Sequence, residues 1–129
     1  MEIGFYSHVN TKPLATTACI QSVRKFYPNN KIVISCDAAY DYSEICSRYK
    51  VVYHHNYVAL GYPVQPFGYR KDKVIEWLDR MYHAVVLMSK TDYFVMLEDD
   101  VLIHNPITIN PEWEMAGDRK STRLNSSHT

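Results

Sequence analysis

A chain of 129 residues with 14 basic and 14 acidic side chains offers no electrostatic reason to bind nucleic acid or an anionic membrane surface. Its length suits one domain or part of one. No apolar run approaches the ~18 residues of a membrane span, and no signal peptide precedes the first predicted strand, so no membrane segment is expected in this stretch.

The last twelve residues, Asp118 to Thr129, are polar and read D-R-K-S-T-R-L-N-S-S-H-T. The first eleven of them match one reading frame of a widely used short-read sequencing adapter. The alternative is a natural polar tail. The expectation is a non-native, disordered segment that packs against nothing, following a natural part of 1–117. Without it, 11 Lys and Arg stand against 13 Asp and Glu, so the remaining charge is slightly negative. Cys19, Cys36 and Cys46 are odd in number and lack zinc-ligand spacing. Small buried thiols are expected, which favours a reducing, cytoplasmic setting.

In chain order, Ile3 to Val9 predicts a strand. Asn10 and Thr11 are cap candidates and Pro13 suits a first helical turn. Ala15, Cys19, Val23 and Phe26 then recur at helical spacing until Pro28-Asn29-Asn30. Lys31 to Cys36 is a second strand running into Asp37. A short helix over Tyr42 to Tyr49 turns Ile45 and Cys46 inward, and Val51 to His54 is a third strand. Asn56 to Gly68 has aromatics, prolines and glycines without period and predicts a long loop. From Asp72 a helix carries Ile75, Leu78, Tyr82 and Val85 on one face, ending near Lys90-Thr91-Asp92. Strands alternating with helices predict an α/β fold, a mostly parallel sheet with flanking helices.

The chemistry concentrates in Tyr93 to Ile103, Y-F-V-M-L-E-D-D-V-L-I. The unbroken apolar run predicts a strand covered on both faces, with Glu98, Asp99 and Asp100 at its carboxyl end, where open α/β sheets bind ligands. In an extended chain Glu98 and Asp100 share a side and Asp99 takes the other. Such oxygen ligands suit Mg2+ or Mn2+. The bland alternative is a solvated acidic turn, or carboxylates capping backbone donors.

This order of elements, with an acid after the second strand and E-D-D after an apolar strand, resembles a GT-A-type glycosyltransferase of the N-acetylglucosaminyltransferase I kind. The resemblance runs from Ile3 to about Pro106 and implies the Rossmann-like, nucleotide-sugar-binding half of a truncated GT-A domain. It implies a nucleotide-diphospho-sugar donor, most simply a UDP-sugar, and an acceptor that these residues leave undefined. Asp100 would be the metal ligand with Glu98 beside it, for Mn2+ or Mg2+. Glu98 and Asp99 would hold the ribose or order the site, and Asp37 would face the uracil. A helix cap is the equal alternative for Asp37. Ser7, His8 and Asn10 would line the nucleotide pocket. Arg70 and Lys71, at the mouth of the long helix, would meet the diphosphate, or are simply a solvated pair. The acceptor half and its catalytic base would lie beyond residue 117, so this stretch is expected not to transfer sugar by itself. His54-His55 has no third ligand in view and is assigned no chemistry.

Two other readings stand beside this one. A sugar-1-phosphate nucleotidylyltransferase would need a glycine- and arginine-rich loop after the first strand, whereas S-H-V-N-T-K-P has no glycine. A non-catalytic α/β module would use the acids for a structural ion or for nothing.

Overall fold

A computed structural model describes residues 2–36, 40–55, 64–65, 68–69, 71–88, 90–110 and 112. Residues 118–129, the expected tail, lie outside them. Ile3–Val9 forms β1, Pro13–Phe26 α1, Ile32–Cys36 β2, Ser43–Tyr49 α2 and Val52–His55 β3. Within the predicted loop, Val64–Gln65 (β4) and Gly68–Tyr69 (β5) pair as a short antiparallel hairpin, which the missing period gave no sign of. Lys71–Leu87 forms α3 and Tyr93–Met96 forms β6.

The main sheet has four parallel strands in the order β3-β2-β1-β6. The chain leaves β1 through α1 to β2 and through α2 to β3, then returns through α3 to β6 on the other side of β1. A right-handed crossover places helices on opposite faces when the direction of winding reverses. Accordingly Ile20 and Val23 of α1 and Cys46 of α2 pack on Ile3, Phe5, Val9, Ile32, Ile34 and Cys36. Ala84 of α3 and Met88, the residue after it, pack with Tyr6 and Val33 on the opposite face. The α/β reading of the sequence is therefore correct.

The interior strands behave as covered parallel strands should. Every residue of β2 is buried, as is every residue of β1 except the half-buried His8. Each fully buried large apolar side chain here contributes roughly 1.5–3 kcal/mol. Gly4 has a specific role, because a Cβ there would lie 2.7 Å from Met88 Sδ and 3.0 Å from Thr91 Cγ2. The end of α3 sits directly on β1 because position 4 has no side chain. All three cysteines are free and buried, as expected. Among the described residues no helix is long and apolar enough to cross a membrane.

Two sequence expectations fail. β6 is not covered on both faces: Val95 packs against the α1 side of the core, but Phe94 and Met96 are exposed. Helix α3 also turns its other flank to the sheet. Ala84, Met88 and the buried Arg80 face inward, while Ile75, Leu78, Tyr82 and Val85 are exposed. The cause is geometric. One helix, about 10 Å across, spans about two strands spaced about 4.8 Å apart, and α3 lies over β2 and β1. Among the described elements no helix lies over β6 on this face.

After β6 the chain does not continue as a strand. It runs irregularly along the α1 side, with Ile103, Ile107 and Ile109 packed on the core. Ile103 N donates to Ser22 Oγ (3.1 Å) and Ile107 N to Tyr27 Oη (2.6 Å).

Candidate functional site at the carboxyl ends of β1 and β6

Strand order reverses between β1 and β6, so their carboxyl ends border a crevice where no crossover helix fills the space. Tyr6 pairs with Met96, and Leu97 N donates to Tyr6 O at 2.9 Å, which extends the ladder by one bond. The chain then turns, with Val101 N donating to Glu98 O at 3.3 Å. The acid triplet therefore occupies a turn, not an extended strand.

In a turn the two-residue alternation no longer decides which of the acids share a side, but their exposure differs. Glu98 and Asp100 are exposed and Asp99 is half-buried. Asp99 Oδ2 accepts a long bond, 3.4 Å, from Asn10 N, so the acid turn touches the loop after β1. The Asp99 side chain also borders a small cavity lined by Ser7, Thr16 and Cys19. Glu98 is tied in through its backbone, since Cys19 Sγ donates to Glu98 O at 3.8 Å. Burial, with the Asp99 and Asp100 carboxylates adding to it, pushes the Cys19 thiol up to about 11. That thiol is a structural support for the turn and no nucleophile.

The loop after β1 is fixed from beneath by Tyr42, which is fully buried. Its hydroxyl donates to Asn10 O and accepts from Lys12 N (3.2 Å). Tyr42 in turn donates from its backbone N to Tyr53 Oη at 3.1 Å, and its ring meets Tyr40 edge-on at 4.7 Å. Burial raises the pKa of the Tyr42 hydroxyl, so it stays a protonated donor. Sequence reasoning missed Tyr42. The available signal was the aromatic pair Tyr40 and Tyr42 directly after the second strand, in a segment too polar to need aromatics for its own sake.

Of the nine candidate residues, the structure brings Asn10, Glu98, Asp99 and Asp100 together at this crevice. Ser7 points to the α1 side and is buried beside Thr16, with its hydroxyl oxygen without a hydrogen-bond partner. His8 is half-buried on the α3 side, in register with Ser35 of β2. Asp37 and Arg70 lie outside the described residues. Lys71 opens α3, but its side chain lies outside them too. Cys36, immediately before Asp37 in sequence, pairs with Val9, so β2 ends at the same edge as β1.

Among the described residues no three His, Cys, Asp or Glu side chains form a metal-ligating group. The donor set that is present consists of the Glu98 and Asp100 carboxylates, both exposed and neither engaged by a described protein group. Two such carboxylates fit a hard divalent cation that keeps water and phosphate oxygens in its shell. They do not make a closed protein cage.

Other features lie apart. On the α3 side, Ser35 Oγ and His54 Nδ1 are 3.4 Å apart and the His54 ring lies 5.5 Å from that of His83. An open groove of about 560 Å3 occurs at the opposite end of the sheet, lined by Glu2, Arg24, Asn30, Lys31, Lys50 and Lys90 among others. It is larger than the small cavity beside Asp99, yet its Arg24 and Lys31 are already bonded to backbone carbonyls, so shape and chemistry separate here.

No protein-family model matches the chain, and no curated protein matches it.

Proposed function

We propose that the chain is the nucleotide-sugar-binding part of a metal-dependent glycosyltransferase, taking a nucleoside-diphospho-sugar, most simply a UDP-sugar, at the carboxyl ends of β1 and β6. The observation that carries this reading is the meeting of the Asn10 loop with the Glu98–Asp100 turn at the point where strand order reverses. A topological switch point is where an open parallel sheet presents its loops to a ligand. Two exposed carboxylates at that place, unneutralised by the described protein, give it a demand for positive charge.

In this reading Asp100, with Glu98 beside it, would hold Mn2+ or Mg2+, whose chemistry is to neutralise charge gathering on a departing diphosphate. Asp99 orders the acid turn against the Asn10 amide, so the two exposed carboxylates are presented together. Tyr42 holds the Asn10–Lys12 backbone that forms the other wall. Asp37, following β2, and Arg70 and Lys71, before and at the start of α3, remain the candidates for the base and the diphosphate.

Calorimetry of UDP with and without Mn2+ tests the reading, on the wild-type chain and on Asp100→Ala. Metal-dependent binding is expected for the wild type, weakened at least about tenfold in the variant, a loss of about 1.4 kcal/mol. Equal binding by the two proteins removes the metal role of Asp100. No binding by either returns the chain to the reading of a non-catalytic α/β module.

A further inference from the structure

We infer that the open groove between α3 and β6 is a self-association surface, filled in solution by the α3 helix of a second copy of this chain. Ala84 of α3 and Met88 just after it point into the sheet. His83 lies on one flank and meets His54 of β3. At about 100° per residue, Leu78 and Val85 fall on the other flank, which therefore faces β6. Tyr82, Ile75 and Val86 continue the apolar arc around the outer side of the helix. On the floor of the groove, Phe94 and Met96 are in register with Gly4 and Tyr6 and so lie on the α3 face of the sheet. These seven apolar side chains are between 38% and 66% exposed.

The dimensions indicate a helix as the occupant. Four strands about 4.8 Å apart make a face that takes two helices, each about 10 Å in diameter, and α3 is the one present among the described elements on this face. The missing neighbour must be apolar on the side toward Phe94 and Met96 and on the side toward Leu78 and Val85. Helix α3 itself meets that description. Its apolar arc covers the inward face and continues around the β6 flank to Val86 on the outer side, more than one sheet contact requires. Under a two-fold axis, each α3 enters the groove of the other copy. Val86, Ile75 and Tyr82 then lie over the partner's Phe94 and the partner's Met96, and Leu78 and Val85 lie along the partner helix. The surface thus supplies both the vacancy and the element that fills it, which closes the assembly at two copies.

The area is sufficient. Seven partly exposed side chains leave on the order of 100 Å2 each, or roughly 700 Å2 per protomer. That exceeds the ~300–600 Å2 patch usual on a monomer and approaches the ~800 Å2 that each partner gives to a standard interface.

Sedimentation velocity on the full 129-residue chain, from low to high micromolar concentration, tests this. A dimer is expected for the wild type. Leu78→Glu on the helix flank and Met96→Lys on the groove floor should each raise its dissociation constant at least about tenfold, with far-UV circular dichroism unchanged. Leu14→Glu, at an exposed position on α1, should leave it unaltered. Tyr82→Gln, a mild change at an exposed helical site, replaces either variant if that variant fails to fold. A monomeric wild type overturns the inference. So does a dimer that tolerates substitution on both the helix and the floor, or an open-ended polymer without a dimer.

Discussion

At the amino end of the sheet the Arg24 guanidinium donates to the carbonyls of Tyr27, Asn30, Tyr49 and Lys50 at 2.6–3.0 Å, and Lys31 Nζ donates to Leu87 O at 2.9 Å. At the carboxyl end, Glu98 and Asp100 make no comparable bonds among the described residues, and Asp99 holds a single long one. The asymmetry in sign follows from the fold. In a parallel sheet with crossover helices, helix C-termini gather at the amino ends of the strands, and their unpaired carbonyls attract bases. The asymmetry in satisfaction does not follow from the fold. Bases at the amino end close α1, the α2–β3 turn and α3, so they serve the structure. At the carboxyl end only Asp99 bonds a described group, whereas the Glu98 and Asp100 carboxylates bond none, which is why the proposed function gives them a cation.

If this contrast is right, substitutions at the two ends must fail in different ways. Arg24→Met keeps the aliphatic stem but leaves carbonyls from four residues without their donor. A loss of about 2–3 kcal/mol in urea unfolding is expected, the largest effect of the set. A cost below about 1 kcal/mol would mean that water replaces the guanidinium easily, and the amino end would lose its structural role. Tyr42→Phe removes the hydroxyl that joins Asn10 O to Lys12 N beneath the acid turn. About 1–2 kcal/mol is expected, because the groups left behind are partly buried. It should also raise amide exchange at Asn10 and Lys12 ahead of the rest of β1. Asp100→Asn should change stability by no more than about 0.5 kcal/mol, in the stabilising direction, since it removes one of three adjacent like charges and no protein contact. Destabilisation beyond that would show that Asp100 is structurally engaged and would blur the contrast.

Legibility from sequence follows the same division. β1, α1 and β2 were legible because their apolar residues are used where they occur: I-G-F-Y-S-H-V and K-I-V-I-S-C lie between helices on both faces, and Pro13 starts α1. The acid turn was placed at the right strand end because its apolar run was long enough to identify the strand. Its local geometry was misjudged, because nothing in E-D-D indicates that the ladder stops at Leu97. The larger errors concern α3 and β6. Ile75, Leu78, Tyr82 and Val85 form a true helical stripe, but the apolar arc of α3 is wider than one face. Period alone cannot decide which part meets the sheet, and a buried Arg80 on the packed side misleads any hydropathy count. Likewise Phe94 and Met96 are apolar enough for coverage that no described residue provides. Tyr42 was missed for a different reason: its hydroxyl acts on a loop thirty residues earlier, a relation that exists only after β1 and β2 pair.

The charge of His54 depends on pH, and it gives the smallest expected effect. His54 on β3 is faced by Ser35 of β2 and by Asp79, Arg80 and His83 of α3. Burial, then the neighbouring His83 and Arg80, hold its pKa below the ordinary imidazole value, with Asp79 opposing them. The folded state therefore resists protonation more than the unfolded chain does. Its contribution is fully present above about pH 6.5, the unfolded value, and is lost as pH falls from there toward the lowered folded pKa. Urea unfolding at about pH 7.5 and about pH 5.5, at fixed protein concentration, measures the loss. His54→Gln keeps a polar neighbour for Ser35 and should lose less stability over the interval than the wild type does. An identical loss in both proteins would assign the acid sensitivity to groups other than His54.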